Sequence, residues 1–307
     1  MKIYHVIPGL LTVLFLSCGV PEDLPTDVPL SPLETVRYLA AENGRVSSSA
    51  QADNGQYPGE IRAILDKGYI VFAMTAADQK PFFYREEYTG ELIGVDVELG
   101  YEIANLLGVR AVFNRDAASF DGVVTKIVNK EADIALSKLS RTTRRAELVR
   151  YTDPYIVFRQ ALLVNRLELT KITLEDKLPY FIKHFDGRIG VVKNSSYVGY
   201  AEMNFPGAHI ETYDTWEQTI DALFGGTVLA AYRDEGEILI INTLREDASI
   251  LMKPVFINDK RDPIAMAVAS DAPLLQEWLN VFLEEYLLQN KRELTPAQIV
   301  ERHFGDG

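Results

Sequence analysis

The chain has 307 residues, of which 47% are hydrophobic and 24% are charged, and this composition excludes a disordered or fibrous protein. The formal net charge is -13 and the sequence pI is about 4.9, which argues against nucleic acid as a partner because no Lys or Arg cluster is long enough to outweigh the repulsion of a polyanion. The single cysteine excludes a disulfide within the chain.

The chain begins with an apolar run from Val6 to Leu16, which is too short to span a bilayer and is typical of the core of an export signal. Cys18 follows closely, and the residues before it resemble the lipobox of bacterial lipoproteins, although Phe15 stands where the usual box has leucine. We therefore predict a lipoprotein signal peptide at residues 1–18 and membrane anchoring through lipidated Cys18. An ordinary signal peptide with an incidental cysteine is the alternative.

Residues 19–57 differ in composition from the rest of the chain. Four prolines, Pro21, Pro25, Pro29 and Pro32, lie in a short polar tract and favour an extended backbone. We interpret this region as a flexible tether that holds a folded domain a little away from the membrane.

Beyond the tether, helical and strand patterns alternate, which predicts an α/β protein with a parallel, doubly wound sheet. The predicted elements of the first part are helix Pro58–Gly68, strand Tyr69–Met74, helix Gly94–Gly108, strand Ala111–Asn114 and helix Asp121–Asn129. The predicted inward positions of the last two helices are Val97, Ile103, Leu106, Leu107, Val123, Val124, Ile127 and Val128. The later elements are strand Arg188–Val192, a helix ending near Asn204, strand His209–Tyr213, helix Thr215–Phe224, strand Val228–Tyr232, and helices Leu274–Leu288 and Pro296–His303.

A hydroxyl-rich turn joins a predicted buried strand, Ile134–Leu136, to a predicted helix, Thr142–Val149. Such a junction presents free backbone N–H groups together with the hydroxyls of Ser140 and Thr142 and the guanidinium of Arg145. Arginine can donate two parallel hydrogen bonds to a carboxylate, so the turn is a candidate carboxylate receptor. In the simpler interpretation, Thr142 only caps a surface helix and Arg145 is solvated.

The spacing of these residues resembles the first-lobe signature of the periplasmic solute-binding proteins of the amino-acid type, family 3, which have the type II periplasmic-binding fold. The residues that carry the resemblance are Asp133, Ser140, Thr142, Arg145 and Asp153-Pro154-Tyr155. The resemblance extends from about Glu60 to Phe304. It implies that Ser140 and Arg145 hold the α-carboxylate of a ligand.

The resemblance also implies two α/β lobes joined by a two-strand hinge, with the ligand in the cleft between them. On this interpretation lobe 1 consists of residues 58–157 and 264–307, and lobe 2 of residues 158–263. The crossings between them are the segment after Tyr155 and the return at Asp262–Ala265.

The second lobe should supply the other half of the site. Lys193, Ser195 and Ser196 lie in a turn before a predicted helix, match the family's hydroxyl-rich second-lobe loop and suit an anion. Asp234 matches the acidic residue that receives the ligand's ammonium group, although it could also be the N-cap of the next helix. Phe120 matches a position in the wall of the family's pocket.

Three residues depart from the family pattern. Lys138 replaces a small residue, usually glycine, whose carbonyl helps to receive the ammonium, and Asn194 replaces the glycine of the second-lobe loop. Gln79 stands where many amino-acid binders have an aromatic wall. Lys138 could enter the cleft and favour an acidic ligand, or point to solvent as most lysines do.

We found no phosphate-binding loop, serine-hydrolase elbow or zinc-protease motif, so no cofactor and no metal site is expected. We predict a monomeric, extracytoplasmic, lipid-anchored substrate-binding component of an ABC-type uptake system, without enzymatic activity. Its expected partners are ABC permease subunits and an amino acid or related small zwitterion. The alternatives are a ligand-sensing regulatory module and a cyclohexadienyl dehydratase-like enzyme on the same fold.

Overall fold

The computed structural model describes residues 57, 59–167, 185–245, 247–290, 295–296, 298–299 and 301. The predicted signal peptide with Cys18 lies outside the described residues, as does the predicted tether except for Tyr57. The last predicted helix, Pro296–His303, is described only in part.

The elements up to the middle of the chain are α1 Gly59–Lys67, β1 Tyr69–Thr75, β2 Tyr84–Arg85, β3 Leu92–Ile93, α2 Val95–Leu106, β4 Arg110–Ala117, α3 Phe120–Val128, β5 Ile134–Ala135, α4 Thr143–Ala146, β6 Val149–Tyr151 and β7 Ile156–Asn165. They are followed by β8 Arg188–Val192, α5 Ser196–Asn204, β9 His209–Tyr213, α6 Trp216–Phe224, β10 Ala230–Asp234, α7 Glu235–Leu244, α8 Ala248–Leu251, β11 Met252–Ile264, β12 Ala267–Ala269 and α9 Pro273–Asn290.

Two five-stranded sheets organise these elements. The first has the strand order β4-β1-β5-β12-β6, and the second has the order β11-β7-β10-β8-β9. Strands β1, β4 and β5 are parallel, whereas β12 runs antiparallel to both of its neighbours. In the second sheet β8, β9 and β10 are parallel and β7 is antiparallel to β10. The predicted doubly wound α/β fold is confirmed, and each sheet also contains antiparallel strands.

Each sheet has an apolar cluster packed on both of its faces, as is usual for a doubly wound sheet. On β7, Ala161 and Leu163 pack on one side of the second sheet while Leu162 and Val164 pack on the other. The first sheet likewise has a core on each face. Helices therefore cover both faces of each sheet.

A long antiparallel ribbon of β7 and β11 connects the two sheets. Its pairing runs from Met252 opposite Asn165 to Ile264 opposite Ile156, with a register shift between Ile257 and Arg261. At the end of the ribbon nearest the first sheet, the Tyr155 N–H donates to the Ile264 carbonyl at 3.0 Å. The two strands predicted to cross between lobes are thus a single paired ribbon.

The sequence prediction was wrong about the length of one helix and about the burial of two residues. The helix predicted from Thr142 to Val149 is only the four-residue α4, because Val149 pairs with β12 in the first sheet. Leu106 and Val128, predicted to face inward, are exposed because they lie at the last turns of α2 and α3.

None of the helices in the described part of the chain is long and apolar enough to cross a membrane.

Candidate functional site

The two sheets meet at a buried cation, the ammonium group of Lys138. This residue follows β5 on the first-sheet side, and its Nζ lies 3.0 Å from Asp234 Oδ2 and 2.7 Å from Glu237 Oε1 on the second-sheet side. The Lys138 side chain is only 3% exposed. The prediction that it could point to solvent was therefore wrong.

Two aromatic rings complete the surroundings of this ammonium group. Lys138 Nζ lies 5.1 Å from the centroid of the Phe82 ring and 5.3 Å from that of Phe158, distances at which ring faces attract a cation. We call Asp234, Glu237, Phe82 and Phe158 the cation cage. Burial opposes the charged form of Lys138, but the two carboxylates outweigh it, so its pKa is raised above the ordinary value.

Asp234 ends β10 and is the N-cap of α7. Its Oδ1 accepts a hydrogen bond from the Glu237 N–H at 3.1 Å, and this bond fixes the carboxylate while its other oxygen faces Lys138. The interpretation of Asp234 as an N-cap is therefore confirmed, and its contact with a ligand's ammonium group stays a prediction.

The backbone of Lys138 is also unusual. Its φ is 47°, in the left-handed region that glycine adopts without strain, which fits the glycine expected here from the family pattern. The Lys138 N–H donates to Asp96 Oδ2 at 2.7 Å, and the Tyr155 hydroxyl donates to the other oxygen at 2.9 Å. Asp96 is fully buried, and burial raises its pKa to about 7.

Arg233 lies beside the cation cage as a second buried cation. Its Nε is 3.7 Å from Asp234 Oδ2, and its guanidinium donates to Gln79 Oε1 at 3.0 Å. Gln79, which stands where the family often has an aromatic wall, thus joins the first-sheet side to the second.

Two serine hydroxyls and a buried carboxylate also lie where the two sheets meet. Ser196 Oγ, at the start of α5, donates to Ser140 Oγ at 2.9 Å. Nearby, Asp262 accepts from the Tyr197 hydroxyl at 3.0 Å, and burial, followed by the charge of Asp234, raises its pKa to about 6.

Little space remains between these groups. The cavity has a volume of about 10 Å³, room for roughly one water molecule. Its lining residues are Phe120, Lys138, Ser140, Ser195, Ser196, Tyr197, Arg233, Asp234, Asp262 and Ile264. Six of the nine predicted ligand-binding residues are among them. A larger surface cavity of about 260 Å³ beside β2 contains none of the nine.

The other three predicted residues, Thr142, Arg145 and Lys193, do not line the cavity. Thr142 caps α4 by accepting from the Arg145 N–H, and the exposed Lys193 lies 3.8 Å from Asp214. Arg145 is only 5% exposed, so its interpretation as a solvated helix residue is wrong. Its Nε pairs with Asp121 Oδ1 at 2.9 Å, and its role in ligand binding stays a prediction.

Sequence reasoning missed Glu237, Arg233, Asp262 and Phe158. A signal for Glu237 was present, because a residue three positions after an N-cap lies on the same helix face as the cap. Asp262 and Phe158 lie on the predicted crossings, where side chains from both sheets meet, and their position could have indicated them.

The chain is similar to known proteins in sequence and in fold. The model of the family described as bacterial extracellular solute-binding proteins, family 3, matches residues 71–306. The L-cystine-binding protein TcyA of Bacillus subtilis is 21% identical over 263 residues, which cover 86% of this chain and 91% of that protein. The histidine-binding periplasmic protein of Salmonella typhimurium is 24% identical over 193 residues, 61% of this chain and 65% of that protein.

A solved structure shows a similar fold. It is the ancestral amino acid-binding protein AncCDT-1, described as a precursor of cyclohexadienyl dehydratase, with a TM-score of 0.63 and 22% identity. The match covers 80% of this chain and 99% of that structure.

Proposed function

Because the chain belongs to the bacterial extracellular solute-binding proteins, family 3, we propose that it is the substrate-binding component of an ABC-type uptake system. In this proposal it binds an amino acid or a related small zwitterion between its two sheets. The observation that carries the proposal is the cation cage, in which two buried carboxylates and two ring faces surround an ammonium group at the junction of the sheets. These are the groups that a ligand ammonium requires.

The names of the relatives agree with this class of ligand, since they describe binding of cystine and of histidine. In the proposed complex the ligand's ammonium enters the cation cage. The hydroxyls of Ser140, Ser195 and Ser196, and the first N–H groups of α5, receive its carboxylate. Phe120 lies against the ligand, and Thr142, Arg145 and Lys193 complete the carboxylate side.

The two sheets with their helices correspond, in this proposal, to the two lobes expected from the sequence, residues 58–157 with 264–307 and residues 158–263. The ribbon of β7 and β11 is the hinge. Opening about this ribbon makes room for a ligand that the 10 Å³ cavity does not provide.

Membership of an extracellular family places the protein outside the cytoplasm. We extend this by proposing that lipidated Cys18 anchors it to a membrane and that residues 19–57 are the tether. The partners on the membrane are ABC permease subunits, which receive the ligand from the closed protein.

Calorimetry with a panel of the twenty amino acids tests the proposal. Ser140→Leu removes a donor and overfills the cavity, so the affinity for the best ligand should fall about tenfold to a hundredfold. Ser270→Leu is the matched control, because Ser270 is exposed, directly follows β12 and does not line the cavity, and it should bind as wild type does. Equal binding by Ser140→Leu and wild type would place the ligand elsewhere.

The relatives are described as binding proteins, and the enzymatic alternative is tested by the fate of the ligand. A bound amino acid should be recovered chemically unchanged after long incubation. Prephenate and arogenate should also remain unchanged, and their conversion by the purified protein would support a dehydratase instead.

A further inference from the structure

We propose that Lys138 is an internal occupant of the cation cage, and that an ammonium-bearing solute binds by displacing it. This inference rests on the proposed function and adds the residue that decides which solutes enter. It also assigns to Lys138 a second effect, because the same side chain holds the two sheets together until a solute replaces it.

The first step of the argument is chemical equivalence. Lys138 presents an alkylammonium group to Asp234, Glu237 and two ring faces, and the α-ammonium of an amino acid presents the same charge and the same three N–H donors. Exchange of one ammonium for the other leaves the buried carboxylates paired. A solute without an ammonium would leave the two buried carboxylates without this close partner, with only the more distant guanidinium of Arg233 beside them, 3.7 Å from Asp234 and 3.6 Å from Glu237, which is unfavourable.

The second step is space. The cavity beside Lys138 has a volume of about 10 Å³, so a solute and the Lys138 ammonium cannot occupy the cage together. With the sheets in this arrangement, binding therefore requires that Lys138 leave the cage. The apparent affinity is the intrinsic affinity multiplied by the fraction of molecules in which the lysine has left the cage.

The third step is the position of the ion pairs. Lys138 follows β5 of the first sheet, whereas Asp234 and Glu237 belong to β10 and α7 of the second. Neutral hydrogen bonds also cross the junction, for example from Ser196 Oγ to Ser140 Oγ. Lys138 supplies a buried charged contact, and its release favours opening of the sheets about the β7–β11 ribbon.

The backbone supplies a matched control. Lys130 also has a left-handed backbone, with φ 58° against 47° for Lys138, but it is exposed and pairs with the exposed Asp271 at 2.6 Å. Lys130→Gly and Lys138→Gly therefore make the same chemical change and relieve the same kind of backbone strain. Only Lys138→Gly empties the cation cage.

Calorimetry on wild type and both variants tests the exchange, with amino acids and the 2-hydroxy acids of the same side chains as probes. Lys138→Gly should bind its best amino acid about tenfold or more tightly than wild type, because the competitor is gone. Lys130→Gly should match wild type. The 2-hydroxy acids should bind weakly to all three proteins and gain little from Lys138→Gly.

Other outcomes of this experiment would overturn the proposal. An amino-acid affinity that is unchanged or weaker in Lys138→Gly would exclude displacement while leaving the proposed function intact. Tighter binding of 2-hydroxy acids than of amino acids by wild type would show that Lys138 stays in the cage as a permanent partner of the solute. If neither wild type nor Lys138→Gly binds any amino acid, the proposed function itself fails, and the exchange with it.

Wild-type protein gives an independent test that does not depend on the folding of a variant. A brief pulse of acetic anhydride should modify exposed Lys130 and spare buried Lys138, and mass spectrometry gives the ratio of the two. Saturating amino acid should raise the labelling of Lys138 relative to Lys130, because the solute expels Lys138 from the cage. A ratio that stays constant or falls would contradict displacement.

X-ray scattering tests the second effect of Lys138. Without solute, Lys138→Gly should have a larger radius of gyration than wild type and Lys130→Gly, because Asp234 and Glu237 lose their partner across the junction. An equal radius for all three proteins would show that Lys138 does not hold the sheets together.

Discussion

Asp96 places a carboxyl group in the first turn of α2, where no water reaches it. Its two oxygens accept hydrogen bonds from the Lys138 N–H and the Tyr155 hydroxyl, and these bonds favour the ionised form. Burial has the larger effect and raises the pKa to about 7 from an ordinary value of 3.8. Protonation of this one residue should therefore affect stability near neutral pH.

The direction in which stability changes with pH follows from the number of protons bound by the folded and unfolded protein. Between pH 4 and 7 the folded protein holds a proton on Asp96 that the unfolded chain has lost, so this group's contribution to stability falls as the pH rises. Replacing Asp96 by Asn removes the titration. Relative to Asp96→Asn, wild type should lose about 2 kcal/mol of unfolding free energy between pH 5 and pH 7.

Urea unfolding of both proteins at pH 5, 6, 7 and 8 measures this difference. Asp262, whose pKa is raised to about 6, titrates in both proteins and cancels in the comparison. A difference between the two proteins that does not change with pH would mean that Asp96 is ionised throughout this range.

At the scale of elements, the start of α2 holds one wall of the cation cage. The Val95 and Asp96 N–H groups donate to the carbonyls of Pro81 and Phe82, at 3.2 and 2.9 Å. This close approach requires glycine at position 94, where φ is 125° and a Cβ would lie 2.7 Å from the Pro81 carbonyl oxygen and against the Phe82 backbone. Gly94 thereby fixes the segment that carries the Phe82 ring.

Gly94→Ala should cost about 3 kcal/mol or more of unfolding free energy, because backbone strain and a backbone clash add together. Gly108→Ala is the control, since Gly108 also has a positive φ but a Cβ there meets nothing within 4 Å. That change should cost only about 1–2 kcal/mol. Denaturant unfolding compares the two variants. Equal losses of unfolding free energy would show that the close packing of residue 94 against the Phe82 backbone does not require glycine.

Most elements could be predicted from the sequence because their apolar periodicity is local. The errors lie where tertiary contacts decide the outcome. The segment after α4 has a helix-compatible composition, yet Val149–Tyr151 pairs with β12, more than a hundred residues further along the chain. No local pattern contains that information.

In the candidate site, too, local features of the sequence could be predicted and tertiary contacts could not. Ser140, Ser196 and Asp234 were predicted from local patterns together with the resemblance to the family, and they do line the cavity. The contact of Lys138 with Glu237 joins positions 99 residues apart, and it depends on how the two sheets are placed. Sequence could raise the question of where Lys138 points, but only the packed structure answers it.

At the scale of the whole molecule, the proposed anchor sets where the binding unit operates. We predict that Cys18→Ser is not lipidated and is released from membranes or blocked in maturation. Labelling cells with a fatty acid and separating membranes from the soluble fraction measures both effects. Label retained by Cys18→Ser would contradict the prediction, since the sequence has no other cysteine.

The position of β12 between β5 and β6 affects how this protein can be synthesised and shortened. The first sheet starts forming from the early part of the chain, but β6 has no strand partner until residues 267–269 are available. The intervening second sheet contains only strands between residues 156 and 264, so it can form first. A fragment that ends before β12 would expose the edges of β5 and β6 as templates for intermolecular strand pairing. The first sheet therefore stays prone to aggregation until β12, a strand of only three residues, has been synthesised and has paired with β5 and β6.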